Sequence, residues 1–406
     1  MDPIGRRGRS SAESQILLLI GVNALFGFAI GFSSPSVAPL IVALGVSISF
    51  VGQAQTVAGL GTTFLRLPVG VAMDRIGRKP FIIMGGLVTL LGFVSYSLST
   101  FWLLLGAGIV LVTFDYTIRG TASSASIGDA AKAGTMGRVF SLDLGVTESA
   151  ATLAPILGGY VATVMAIPSR FMFATSASLI AIAIIIVLIA YKPAPVQQTQ
   201  ARSVGSWREF IRVDKRILSL LVVVALDAAA WRISFPFWAL YIFKEMNATQ
   251  EQLGIALAVS AGIPALTGLT LGMKLDKAGR RPFLALSEWS SIGACLPLLL
   301  TSRPEFAYIS AVFWGLAYSL YVPALNAYVV DHFGSERFGQ TLGTLSLVSG
   351  LASATSPALG GWIWDNISPK APFILTLVLA NAVGMIIWFK VEEKEDARPT
   401  PRTEPE

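Results

Sequence analysis

Cysteine and histidine each occur once in the 406 residues, as Cys295 and His332, and charged side chains make up only 13%. A single cysteine excludes an intrachain disulfide, and its place in an apolar run makes it an inert core residue. A single histidine leaves no pair for a zinc site. His332, beside Asp331 at a helix end, reads as a solvated loop residue. The chain has neither a phosphate-binding glycine-lysine loop nor a serine elbow, so nothing in it points to an enzyme, a metal or a bound cofactor. The shortage of charge says most, because soluble domains carry roughly 25%.

Hydrophobic residues fill the gap, at 54% of the chain with a mean hydropathy of +0.67. Apolar stretches of about 20 residues recur from Ile16 to Lys390, each long enough to cross a hydrocarbon core of about 30 Å as a helix. Inside lipid the backbone must satisfy its own hydrogen bonds, and stretches this long without alternation are helices rather than barrel strands. The expected fold is therefore all-α and integral to a membrane. Twelve transmembrane helices are placed near residues 16–44, 50–73, 80–98, 101–126, 138–165, 170–191, 217–243, 253–275, 282–302, 305–331, 338–364 and 372–390.

The corresponding organisation is a tail over 1–15, six helices over 16–191, a linker over 192–216, six helices over 217–390 and a tail over 391–406. The linker is polar, basic and begins with proline, as a connecting segment should. From Trp207 it reads either as a short amphipathic helix on the membrane surface or as a plain solvated loop. The last segment, charged and proline-rich, is expected to be disordered. The net charge of +6 does not imply nucleic acid, because the cations are scattered through short loops. With both termini cytoplasmic, 23 of the 30 cations fall on the inside, four fall on the outside, and Arg66, Arg119 and Arg232 lie within helices. The positive-inside rule thus orients a multi-pass protein of the plasma membrane, surrounded by lipid.

The stretch "GVAMDRIGRKPF" at 70–81 returns as "GMKLDKAGRRPF" at 272–283, 202 positions later. "ASIGD" ending at Asp129 meets "AYVVD" ending at Asp331, and "APILGGYV" from Ala154 meets "SPALGGWI" from Ser356, at the same offset. Three motifs keeping one offset define two pseudo-symmetric six-helix bundles. Each charged loop sets an acid, Asp74 or Asp276, where a helix leaves lipid, with Arg75, Arg78 and Arg280 close by. Such an acid can pair with a cation or face the positive start of another helix. Gly77 and Gly279 fit a tight turn, and Gly70 and Gly272 permit close helix approach.

These loops resemble the signature that the major facilitator superfamily carries between helices two and three and between helices eight and nine. The resemblance implies that Asp74 docks at helix eleven, Arg78 reaches Asp129, Asp276 docks at helix five and Arg280 reaches Asp331, so that the loops act as breakable latches. It also implies a central cavity lined by helices one, four, seven and ten. Asn23, Phe26, Asp115, Arg119, Asp227, Trp231, Tyr318, Tyr321 and Asn326 are the cavity candidates. "SAATLAPILGGYV" in helix five resembles the proline-glycine signature of the family's drug and metabolite antiporters, with Ala154 where that pattern has glycine. The family's helix-four arginine signature fails, its position being Ile109.

Ionisable side chains inside a membrane mark pathways or proton relays. Here they are Arg66, Asp115, Arg119, Asp143, Glu148, Asp227, Arg232 and Glu288. Counting the helical rise from the loops puts Arg66, Arg119 and Glu148 about 12–15 Å deep, as one expected network. A static buried pair of Arg119 with Glu148 is the structural alternative. Asp115 stands one turn from Arg119 at a spacing that lets side chains meet. Asp227, alone in helix seven with Arg232 five residues on, suits a substrate or proton role. Glu288 is assigned a structural or interfacial one. Carboxylates can carry the proton, whereas arginine stays charged.

Three readings follow. The first is a monomeric, proton-coupled secondary transporter that exports small amphipathic metabolites or drugs by alternating access. The second is an importer or facilitator of a small organic anion or sugar, with Arg119 or Arg232 meeting substrate. The third is a receptor or scaffold that moves nothing. The energy source in the first is a proton gradient, and no cofactor is expected.

Overall fold

The computed structural model describes residues 3–131, 135–193 and 215–391, of which 3–12, 215–217, 219, 268–278 and 333–340 are described by backbone alone. The described residues form helices and no strands. Helix one comprises Pro3–Ser33, a 3-10 turn at Ser34–Ser36 and Val37–Ala43. Helix two is Ile48–Ile76, helix three Arg78–Ser97, and helix four Trp102–Thr113, a π turn at Tyr116–Gly120 and Thr121–Ala130. Helix five is Met136–Val164 and helix six Ser169–Ala190.

The second half repeats this order. Helix seven is Lys215–Ser234, a 3-10 turn at Phe235–Phe237 and Trp238–Lys244, helix eight Gln250–Ala278 and helix nine Arg281–Leu300. Helices ten and eleven are one unbroken helical run, Phe306–Asn366, containing the two spans Phe306–His332 and Thr341–Asn366. Helix twelve is Ala371–Lys390. Among the described residues ten helices are long and apolar enough to cross a membrane, and helices five and eight complete the twelve. The amphipathic helix expected from Trp207 and the disordered tail expected from residue 392 lie outside the described residues.

Two departures from the sequence reading concern helix ends. Helix one begins at Pro3, so helical backbone extends through the basic tail. His332 lies inside a helix rather than in a loop, its ring stacked on Tyr328 with centroids 3.9 Å apart. Outward faces remain strongly apolar. Ile182, Ile185, Leu188 and Ile189 of helix six are all exposed, a stripe that lipid, not water, would cover.

At the end of the bundle opposite the charged loops, helices two and eight start against the other half. The first turn of a helix leaves N–H groups without partners. Ser47 accepts one of them, from Phe50 N at 3.3 Å, and Thr249 with Gln252 closes a capping box on helix eight. Others are met from the opposite half. Asp365 of helix eleven accepts from Ile48 N at 3.2 Å and Ser49 N at 2.7 Å. Thr163 of helix five accepts from Glu251 N at 3.0 Å. Ser47 with Thr249, Ser49 with Glu251 and Thr163 with Asp365 are again 202 positions apart.

Glycine makes these contacts backbone to backbone. Gly361 faces the Ile48 carbonyl and Gly159 the Gln250 carbonyl, while Gly52 and Gly254 face the carbonyls of Pro357 and Pro155. A β-carbon at any of the four would overlap main-chain atoms. Helix two thus runs along helix eleven and helix eight along helix five. Toward the charged loops the halves part. Tyr116 and Tyr318, well inside helices four and ten, are 76% and 64% exposed, so a cleft reaches them from that side.

Gly52→Ala is expected to cost about 1–3 kcal/mol, because the carbonyl it meets is backbone and must shift. Gly70→Ala, whose β-carbon meets nothing within 4 Å, is expected to be neutral or to gain up to about 1 kcal/mol. Thermal unfolding of the purified proteins compares them. Asp365→Asn removes a charged acceptor worth about 1.5–3 kcal/mol. Spin labels at the far ends of helices two and eleven are expected to show their separated state enriched about tenfold or more.

Candidate functional site

The π turn in helix four stands between Asp115 and Thr121, where one widened turn re-aims the side chains around it. Arg119 grips Asp115 with two parallel bonds, Nε to Oδ1 at 2.6 Å and Nη2 to Oδ2 at 2.7 Å. Its Nη1 donates to Asn23 Oδ1 at 2.9 Å, and Ser123 Oγ donates to the same oxygen at 2.9 Å. Asn23 Nδ2 passes the chain on to Asp143 Oδ1 at 2.9 Å, and Thr89 Oγ1 donates to Asp115 at 2.8 Å. The guanidinium carbon sits 4.0 Å from the centre of the Phe26 ring. Gly85 of helix three permits this approach, since a β-carbon there would come within 2.5 Å of Arg119 N.

The network therefore joins Asn23, Phe26, Asp115, Arg119 and Asp143, but it is packed inside the first half rather than lining an open cavity. Asp115 and Arg119 are 5% and 8% exposed. Arg66 and Glu148, expected on the same level as partners of Arg119, are not part of it. Both are exposed. Asp143 and Glu148 are five residues apart, about 140° around a helix, so one turns to Asn23 while the other faces the cleft. There Glu148 is within electrostatic range of Tyr318 in the other half, as is Tyr116.

The second half holds a pocket of about 410 Å³ lined by Asp227, Trp231, Arg232, Phe235, Ser287, Trp314, Ala317, Tyr318, Tyr321 and Val322. Trp231 meets Trp314 edge to face with ring centroids 4.7 Å apart, and Phe235 closes on Trp314 at 5.1 Å. Asp227 is not alone. Its carboxyl faces the Glu288 carboxyl and the Tyr321 hydroxyl, and Trp231 Nε1 donates to Glu288 Oε2 at 3.1 Å. Glu288, expected to be structural or interfacial, is completely buried behind the pocket. Asn326 is half-buried and does not line it. Arg232 forms no ion pair among the described residues. Trp314, Tyr116 and Thr89 were missed in the sequence, although Trp314 stands in the aromatic run of helix ten.

In the charged loops Arg78 Nε reaches Asp129 at 3.2 Å and Arg280 Nε reaches Asp331 at 2.9 Å. Asp74 does not dock on helix eleven. It pairs with Arg78 at 2.6 Å and its side chain is 70% exposed, as follows from halves that part on this side. Arg75 is exposed as well. Gly77 and Gly279 adopt φ of 101° and 87°, which a side chain would disfavour. Gly70 faces open space and so supports no close helix approach. The Asp276 side chain and the surroundings of Gly272 lie outside the described residues. Lys79 Nζ caps helix six by donating to Leu188 O and Tyr191 O at 3.0 and 2.7 Å.

Two repeated six-helix halves, closed on one side and parted on the other around buried charge, define an integral membrane carrier. The chain matches the Major Facilitator Superfamily over residues 19–226 and 220–406, and it belongs to that family of membrane transporters for small molecules. It is 23% identical over 401 residues to Multidrug resistance protein 2 of Bacillus subtilis, covering 94% of this chain and 96% of that protein. It is 23% identical over 382 residues to the proton-coupled antiporter flippase LtaA of Staphylococcus saprophyticus, covering 89% of each. A point mutant of the nucleoside transporter NupG has the same fold, with a TM-score of 0.78 at 14% identity over 93% of this chain and 100% of that one.

Asp115→Asn is expected to cost about 3–5 kcal/mol by leaving Arg119 buried and uncompensated. The double change Asp115→Asn with Arg119→Gln is expected to recover part of that loss, read as thermal unfolding of all three proteins.

Proposed function

We propose that the protein is a proton-coupled secondary transporter that exports small amphipathic metabolites or drugs by alternating access. The observation that carries this reading is the aromatic pocket with Asp227 in its wall, which opens where the halves part. Rings supply contact to an apolar body, while a carboxylate supplies a point for charge or a proton. The names of the relatives, a multidrug resistance protein and a proton-coupled antiporter, support export and coupling. The distribution of cations supports cytoplasmic termini in a plasma membrane. On that orientation the described state is open to the cytoplasm, ready to load. The chain works as a monomer, since each polypeptide holds both halves of the cleft.

A second reading, import or facilitation of a small organic anion, draws on Arg232, whose guanidinium stands in the pocket wall and has no ion pair among the described residues. The two are separated by the direction of coupled proton movement.

In vesicles with an imposed proton gradient, wild-type flux of a lipophilic solute is expected to follow the gradient with exchange of protons, and Asp227→Asn is expected to lower it about tenfold or more. Co-movement of proton and an organic anion would favour the second reading. Flux indifferent to the gradient would end proton coupling.

A further inference from the structure

We propose that Asp227 and Glu288 form a two-carboxyl proton site, holding a single proton between them behind the aromatic pocket. The pair deepens the proton-coupled reading and rests on it only for its place in the transport cycle; the binding of the proton stands on geometry.

Glu288 is fully buried and Asp227 is 8% exposed. Their carboxyls face each other. Trp231, one turn after Asp227, donates its indole N–H to Glu288 Oε2 at 3.1 Å. Among the described residues, the other oxygen, Glu288 Oε1, receives no N–H or O–H and the buried Tyr321 hydroxyl closes no hydrogen bond. Two ionised carboxylates close to each other and away from water repel, and neither can donate to the other. One proton supplies the absent O–H and leaves the pair with a single negative charge.

The surroundings add little that could take the proton's place. Helix ten contributes Tyr321, which can donate to whichever carboxyl is ionised. Helix seven contributes Arg232, on the pocket wall and without an ion pair among the described residues. Helix twelve contributes no ionisable group before Lys390 and presents Gly384, where a β-carbon would lie 3.1 Å from Glu288 Cβ. Asp227 lines the pocket while Glu288 does not. A proton therefore enters and leaves through Asp227, from the same space that a solute would fill. A positively charged solute at Asp227 favours loss of the proton, and an empty pocket favours its return.

Infrared titration of the purified full-length protein tests the pair. The wild type is expected to show a protonated-carboxyl band that fades as the pH rises, with a matching change in Trp231 fluorescence. Glu288→Gln removes the repelling neighbour, so the proton affinity at Asp227 is expected to fall about tenfold or more. Trp231→Phe removes the N–H that stabilises the ionised pair, and affinity is expected to rise. Opposite movements separate a shared site from general loosening of the fold. Identical midpoints in the wild type and Glu288→Gln would overturn the proposal, as would survival of the wild-type band in the double variant Asp227→Asn with Glu288→Gln. Should wild-type flux prove indifferent to a proton gradient, the transport reading fails while this titration still decides the pair.

Discussion

The two halves hold together by backbone contact. Helices two and eight begin with N–H groups that must find acceptors, and the acceptors come from the opposite half at Asp365 and Thr163. Glycines 52, 159, 254 and 361 bring main chains close enough for this to happen. Beside these backbone contacts a buried apolar cluster, including Leu40, Ile41, Trp238 and Trp364, runs through both halves. The cleft exists because the backbone contact is confined to one end.

Charge inside each half is handled differently. In the first half, Arg119 is answered by Asp115 through two short bonds and then by Asn23, and every polar atom named in that chain has a partner. A satisfied buried network rigidifies its surroundings. In the second half, Asp227 and Glu288 face each other with fewer donors than their oxygens can accept. The pseudo-symmetry of the backbone thus carries two chemically unlike interiors. The first is built to hold its geometry, and the second lies beside the space a solute can reach.

Much of this was legible in the sequence because its causes are local or periodic. Apolar run length gave the helices, the constant offset gave the repeat, and the signature loops placed Arg78 with Asp129 and Arg280 with Asp331. Asp115 with Arg119 followed from helical spacing. Depth alone misled where rotation decided the neighbour: Arg66 and Glu148 share a level with Arg119 but point elsewhere. The π turn at Tyr116–Gly120 has no sequence mark, and it shifts every later residue of helix four around its axis. Glu288 was placed on a peripheral helix, and only packing revealed that Trp231 turns back to meet it. Asp74 was expected at helix eleven from the resemblance, but it turns back to Arg78 because the halves part on that side.

One difference between the halves bears on how the closed end gives way. Across the pseudo-twofold, the seam between helices two and eleven is fastened by a carboxylate that takes two amides, and the seam between helices five and eight by a hydroxyl that takes one. The neutral fastening is the weaker of the two, so in the alternating access proposed above separation would start there, with the charged side as the pivot. Opening would then be lopsided, like a door on one hinge rather than a pair of leaves.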